Sequence, residues 1–163
     1  MTLRRMTRDD NFTAIADIFV QAWRSAYKGI VPQDYLNALT TERWSGHFSA
    51  MRHDCFLLVE GGVYVGACFY ANSRMAEFAH MGEIIAIYLR PEYFGQRLGA
   101  RLLQAGEDAL RAQGFGEVYL WVLAENQRAR HFYKKEGYTL IRESMMQDIG
   151  GVMLKEVQYR KFL

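Results

Sequence analysis

Apolar residues along this chain recur at two periods, and the switches between them divide it into alternating strands and helices. Residues 2–6 read as a short first strand. Ile15, Ile18, Phe19, Ala22 and Trp23 then return at helical spacing, behind Asp9 or Asp10 as the cap. Pro32 opens a second short helix through Tyr35, Leu36 and Leu39, and Thr41 caps a third that carries Trp44 and Phe48. Residues 56–59 and 63–70 are β-rich runs joined through Gly61-Gly62, a pair that favours a tight hairpin because glycine accepts positive φ without strain. Residues 82–89 continue this meander as a fourth strand. A long helix over 96–113 stops at Gly114, a fifth strand covers 118–123, and a helix over 126–135 ends before Gly137. Residues 138–146 and 152–159, separated by Gly150-Gly151, form a final hairpin.

Length and composition narrow what this order can build. At 163 residues the chain suits one domain, 1–163, with a sizeable core. Half the residues are hydrophobic, which excludes a disordered chain, and 23% are charged, enough for a wetted surface. The net charge is only +2 and the basic residues are scattered, so neither a nucleic acid nor an anionic membrane is expected as partner. No apolar run approaches 18 residues, and no apolar segment follows the arginines of Met1-Thr2-Leu3-Arg4-Arg5-Met6, so a cytoplasmic protein is expected. Cys55 and Cys68 lack metal-ligand spacing and sit in apolar, strand-like stretches; they read as buried free thiols, and no metal is expected.

The candidate chemistry begins where Glu83-Ile84-Ile85-Ala86-Ile87-Tyr88 runs into Leu89-Arg90-Pro91-Glu92-Tyr93-Phe94-Gly95-Gln96-Arg97-Leu98-Gly99-Ala100. Glycines at the mouth of a helix let backbone N–H groups approach a phosphate, so the turn reads as a cradle for a diphosphate-bearing cofactor. Downstream, Leu120-Trp121-Val122 leads into Asn126, Ala129, Phe132, Tyr133, Gly137 and Tyr138. The two blocks, in this order and at this distance, resemble the Gcn5-related N-acetyltransferase superfamily, which binds acetyl-CoA. The opening Ala22-Trp23-Arg24-Ser25-Ala26-Tyr27-Lys28-Gly29-Ile30-Val31-Pro32 is also similar to that of many members.

The resemblance implies an α/β (α+β) acyl-CoA N-acyltransferase fold. Its mixed, mostly antiparallel sheet of about seven strands is splayed between strands 4 and 5 and flanked by helices. It implies that the pantetheine arm of acetyl-CoA enters the gap along Ile87, Tyr88 and Leu89, and that the diphosphate rests on the backbone of Gly95, Gln96, Arg97, Leu98, Gly99 and Ala100. Two positions depart from the superfamily's usual loop: Phe94 stands where glutamine or arginine is common, and Arg97 where the middle glycine is usual. Arg97 supplies a cation for a charge-assisted phosphate contact, provided its backbone adopts the turn. Asn126 is implied as a hydrogen-bond partner of the arm, although asparagine there is equally a good helix N-cap.

The implied reaction is acetyl transfer from acetyl-CoA to a primary amine of a small molecule or peptide, by direct attack in a ternary complex. The resemblance gives Tyr133 the part of general acid toward the CoA sulfur; the plainer reading is a tyrosine packed beside Phe132. Deprotonating an ammonium of pKa near 10 at neutral pH costs about 4 kcal/mol, which makes a base useful. Glu83, on the same side as Ile85 and Ile87 if alternation is regular, is the first candidate, against the reading of a solvated strand-end charge. Glu77, His80 and Glu125 are weaker candidates, and His131 belongs to an exposed helix face. Trp23, Tyr27, Tyr35, Phe69 and Tyr70 either line an acceptor pocket or belong to the core. A non-catalytic acyl-CoA-binding domain of the same fold and a nucleotide-binding phosphotransferase are the alternatives; no Gly-Lys-Ser/Thr follows the glycines to favour the latter. The terminal hairpin with Tyr159 and Phe162 is a candidate homodimer surface.

Overall fold

Alternating side chains sort the strands onto two faces, each covered by helices. In the computed structural model, which describes residues 1–50 and 54–163, the strands are β1 (Thr2–Arg5), β2 (Asp54–Glu60), β3 (Val63–Asn72), β4 (Gly82–Leu89), β5 (Glu117–Leu123), β6 (Thr139–Ile149) and β7 (Val152–Phe162). They form one seven-stranded sheet of order β1-β2-β3-β4-β5-β7-β6. Every neighbouring pair is antiparallel except β4 and β5. The helices are α1 (Phe12–Ala26), α2 (Gln33–Asn37), α3 (Glu42–Ala50), α4 (Leu98–Ala112) and α5 (Gln127–Lys135).

In β2, Cys55 and Leu57 point to a cluster with Ile15, Ile18 and Phe19 of α1, while Leu58 points to a second cluster with Leu102, Leu103 and Leu110 of α4. On the α4 face this second cluster continues through Val118, Leu120 and Val122 of β5 to Tyr133 of α5 and Val157 and Tyr159 of β7. A third cluster joins Val20 of α1 and Leu36 of α2 to Leu123, Ile149 and Leu154. Both cysteines are buried and free. Gly61 and Gly62 take φ of 55° and 83°, as the hairpin between β2 and β3 requires.

Three details differ from the sequence reading. The cap of α1 is Asn11, whose side chain accepts from the Ala14 N–H at 3.0 Å. Asp10 instead turns back onto Arg4, the Thr7 N–H and the Tyr64 hydroxyl, an ion-pair clamp that outcompetes the cap. Tyr159 is fully buried and contributes nothing to an outer surface, whereas Phe162 is 80% exposed. Among the described residues no helix is long and apolar enough to cross a membrane, and no group of three His, Cys, Asp or Glu side chains is placed to hold a metal ion.

Candidate active site

The two halves of the sheet touch only at one end. The parallel register between β4 and β5 pairs Gly82 with Val118 and Glu83 with Tyr119, and stops there. From Ile84 onward the β5-facing edge of β4 has no strand partner, so a row of backbone donors and acceptors is left open. On its other side β4 carries a bulge: Phe69 pairs with Ala86 and Tyr70 with Ile84, which leaves Ile85 as the extra residue. The bulge breaks the alternation that would place Glu83, Ile85 and Ile87 on one side. Ile85, Ala86 and Tyr88 pack toward the α1 face, while Ile87 and Leu89 turn to the α4 face. All five line a cavity of about 940 Å³ that fills the wedge between the strands.

One end of the cavity is the glycine-bearing loop. Gly95 has φ of 80°, and Arg97, the residue preceding α4, has φ of 58° and ψ of 12°. Arg97 therefore adopts the left-handed turn despite its side chain, a conformation that costs a non-glycine residue about 1–2 kcal/mol. No side chain caps α4, so its first N–H groups remain available at the positive end of the helix dipole. Gly95, Arg97, Leu98, Gly99 and Ala100 line the cavity; Gln96 is exposed and does not. Gly99 is not demanded by packing, since a Cβ there would sit at an ordinary contact distance of 3.5 Å from Phe132 of α5. Phe94 is a seat for Arg128, whose guanidinium carbon lies 3.7 Å from the ring centroid and which also lines the cavity. A second cation besides Arg97 thereby faces this cavity.

At the middle of the wedge, Asn126 is the N-cap of α5, and its Oδ1 accepts from the Ala129 N–H at 3.1 Å. Its amide NH2 makes no hydrogen bond among the described residues, so one side chain caps the helix and keeps donors for a ligand. Tyr133 lies seven residues on and faces the same cavity. Its ring packs against Phe132, Tyr138 and Tyr159, and its hydroxyl has no hydrogen-bond partner among the described residues. Burial, helped by the Tyr88 phenol, holds its pKa well above the ordinary tyrosine value, which keeps the proton on the oxygen.

Glu83 sits at the closed end of the wedge and is 2% exposed. Arg74, in the connection between β3 and β4, donates to it from Nη2 at 2.6 Å, from Nε at 3.1 Å and from the backbone N–H at 3.1 Å; the Tyr119 hydroxyl adds a bond of 3.0 Å. The carboxylate lines the cavity but is engaged by these donors. Trp121 of β5 also lines the cavity, and its Nε1–H is buried without a partner.

A splayed parallel pair, an uncapped helix start and a cleft that joins them make up the candidate site. The model of the Acetyltransferase (GNAT) family matches residues 9–138. The chain belongs to the GNAT family. The N-acetyltransferase YuaI of Bacillus subtilis is 30% identical over 159 residues, covering 96% of this chain and 91% of YuaI. A spermidine N(1)-acetyltransferase of Thermoplasma acidophilum is 26% identical over 145 residues, covering 83% and 86%. Among solved structures, the PaiA N-acetyltransferase of Thermoplasma acidophilum in complex with coenzyme A superposes with a TM-score of 0.74 at 19% identity, covering both chains completely. YncA of Salmonella typhimurium, solved with its cofactor acetyl-CoA, gives 0.73 at 20%, covering 99% and 93%.

Across the GNAT wedge from the loop, the cavity is walled by Trp23 of α1, Tyr27 just after it and Tyr35 of α2. The Trp23 Nε1–H donates to the Tyr88 hydroxyl at 3.0 Å, which lies 3.5 Å from that of Tyr27. Phe69 and Tyr70 are buried in the two cores and do not line this cavity. Nor do Glu77, His80, Glu125 and His131, which are exposed. Residues missed by sequence reasoning are Arg74, Arg128 and Glu156, all of which line the cavity. For Glu156 a signal was present: it shares its strand face with Leu154 and Gln158, where an inward position carries a charge.

Proposed function

We propose that the protein is an acetyl-CoA-dependent N-acetyltransferase whose acceptor is a primary amine, acetylated by direct attack within a ternary complex. The observation that carries this reading is the single cavity onto which the open edge of β4, the uncapped start of α4 and the Tyr133 hydroxyl all face. Acetyl-CoA supplies the activated acetyl thioester. Arg97 and Arg128 stand at the diphosphate end, where charge-assisted contacts add to those of the α4 amides. The unpaired backbone of residues 84–89 accepts the pantetheine arm as a strand would, and a β4 N–H polarises the thioester carbonyl as a one-donor oxyanion site. Asn126 adds its free amide donors to the arm.

Tyr133 donates a hydrogen bond to the sulfur as the thiolate leaves. A phenol held above its ordinary pKa does not release the proton outright, but it stabilises the charge that develops. Glu83, with its four donors, holds Arg74 and Tyr119 at the closed end of the wedge in preference to acting as base. The spermidine N(1)-acetyltransferase relative supports a primary amine as acceptor. The test is thermal unfolding with and without acetyl-CoA, then thiol release with a panel of amines. Acetyl-CoA stabilisation with amine-dependent thiol release is expected; absence of both overturns the reading.

A further inference from the structure

We infer that Glu156 receives the proton of the incoming ammonium group, and that the acceptor is a primary alkylamine that arrives as a cation. This rests on the amine-acetylation reading above. Glu156 lies on β7, opposite Leu123 of β5 and Met145 of β6, and lines the wedge cavity on the side of the aromatic wall. Among the described residues it makes no hydrogen bond and no ion pair, unlike Glu83. Its charge reaches Tyr27, Tyr88 and Arg74, which line the same cavity.

Arg74 is the cation whose charge reaches that carboxylate, and its hydrogen bonds are made elsewhere. Arg74 is committed to Glu83, and Arg43 of α3 lies over the rings of Tyr35 and Trp44, 5.1 and 5.6 Å from their centroids. Tyr27 just after α1 and Tyr88 from β4 face Glu156 as protonated phenols, both raised by burial. Asp148 of β6 adds a second carboxylate at the exposed rim, where it caps the Gly151 N–H. Burial also raises Glu156 itself above the ordinary glutamate value, as suits a group that must take a proton near neutrality. Carboxylate and electron-rich rings of Trp23, Tyr27 and Tyr35 together favour an ammonium ligand over a neutral or anionic one.

The step balances without a further reagent. The ammonium gives one proton to Glu156 Oε, and the freed lone pair forms the C–N bond at the thioester carbonyl as the C–S bond breaks and its electron pair leaves with sulfur. A second nitrogen proton passes to that sulfur, assisted by Tyr133. Amide and thiol are the products, and Glu156 returns its proton to solvent.

The experiment compares Glu156→Gln with the unmodified protein, both saturated with acetyl-CoA, at pH 7 to 10. An alkylamine of pKa near 10 is about one part in a thousand neutral at pH 7, so loss of the base lowers kcat/KM with butylamine or a diamine by roughly 100- to 1000-fold there. The deficit shrinks about tenfold for each pH unit raised, as solvent does the deprotonation. An aromatic amine, neutral throughout, is acetylated alike by both proteins, and calorimetry on the acetyl-CoA-loaded variant shows weakened alkylammonium binding. A deficit that is the same at every pH and for both amine classes assigns Glu156 a structural part and overturns the proposal, as does unchanged turnover. Preference for an amino acid over the alkylamine overturns the cationic acceptor. If the unmodified protein releases no thiol with any amine, the parent reading fails instead.

Discussion

Two side chains that line the cavity, Tyr133 and Arg97, have proposed parts that a substitution tests. The Tyr133 hydroxyl holds no internal partner, so Tyr133→Phe leaves no buried group orphaned and Tm within about 1 °C of the parent. A hydrogen bond to a developing charge is worth about 1.5–3 kcal/mol, so kcat falls roughly 10- to 100-fold while acetyl-CoA affinity holds. Steady-state thiol release with calorimetry reads both; a drop in Tm with kcat intact would return Tyr133 to packing alone. Arg97 is the converse case, a residue whose backbone opposes its side chain. Arg97→Gly relieves the left-handed strain of about 1–2 kcal/mol and costs about 0.5–1 kcal/mol through the greater freedom of the unfolded chain, for a net gain of up to about 1.5 kcal/mol. On the proposed binding mode the same change removes a cation from the diphosphate end, so the Kd for acetyl-CoA rises about tenfold. A variant that gains stability with no loss of affinity would show that the guanidinium does not touch phosphate.

Elements here are held in place by buried acids that the sequence presents as ordinary surface charges. Asp10 fastens β1, the approach to α1 and β3 through Arg4, Thr7 and Tyr64, and its hydrogen bond with Arg4 first, then those with Thr7 and Tyr64, pull its carboxyl well below the usual range. A depressed folded-state pKa contributes stability that is complete above the unfolded value near 4 and is lost as pH falls from there toward the folded one. Asp10→Asn therefore costs about 1–2 kcal/mol at pH 7, discounted for the solvent exposure of Arg4, and flattens the acid limb of a denaturation series below pH 4. Equal acid limbs in parent and variant would remove Asp10 from that account. Glu83 does the same for the closed end of the wedge: Glu83→Gln leaves Arg74 half-paired and costs about 1–3 kcal/mol, a few degrees in Tm. Element order and most boundaries were legible because glycines, prolines and periodicity are local signals; β4 begins and ends where its apolar run does. Asp10 misled because cap and ion pair compete for one carboxylate, and only the Arg4 contact decides between them. The bulge at Ile85 was invisible because it is a property of register with β3, not of β4 itself.

At the scale of the whole molecule the sheet is two sheets in contact, β1 to β4 and β5 to β7 with β6, joined through two register pairs and filled between by the cavity. The loop and Tyr133 were proposed from local patterns and Trp23 as an aromatic wall residue, whereas the presence of Arg74 and Glu156 in the same cavity depends on distant segments closing around the wedge. On the proposed binding mode a ligand lying along β4 completes the missing strand and couples the halves. At a hundred times its Kd, acetyl-CoA contributes about 2.7 kcal/mol, and for a chain of this size each kcal/mol moves Tm by about 2–4 °C, so a rise of roughly 5–10 °C is expected. Hydrogen exchange locates that stabilisation. Amides of residues 84–89 and of the start of α4 gain protection with acetyl-CoA, while β1 and β2, which do not border the wedge, change little. Adenosine diphosphate, which carries the diphosphate but no arm, protects the start of α4 alone. Protection of β4 by adenosine diphosphate as well would mean that the halves close as one body on anion binding, and that the open edge of β4 is not where the arm lies.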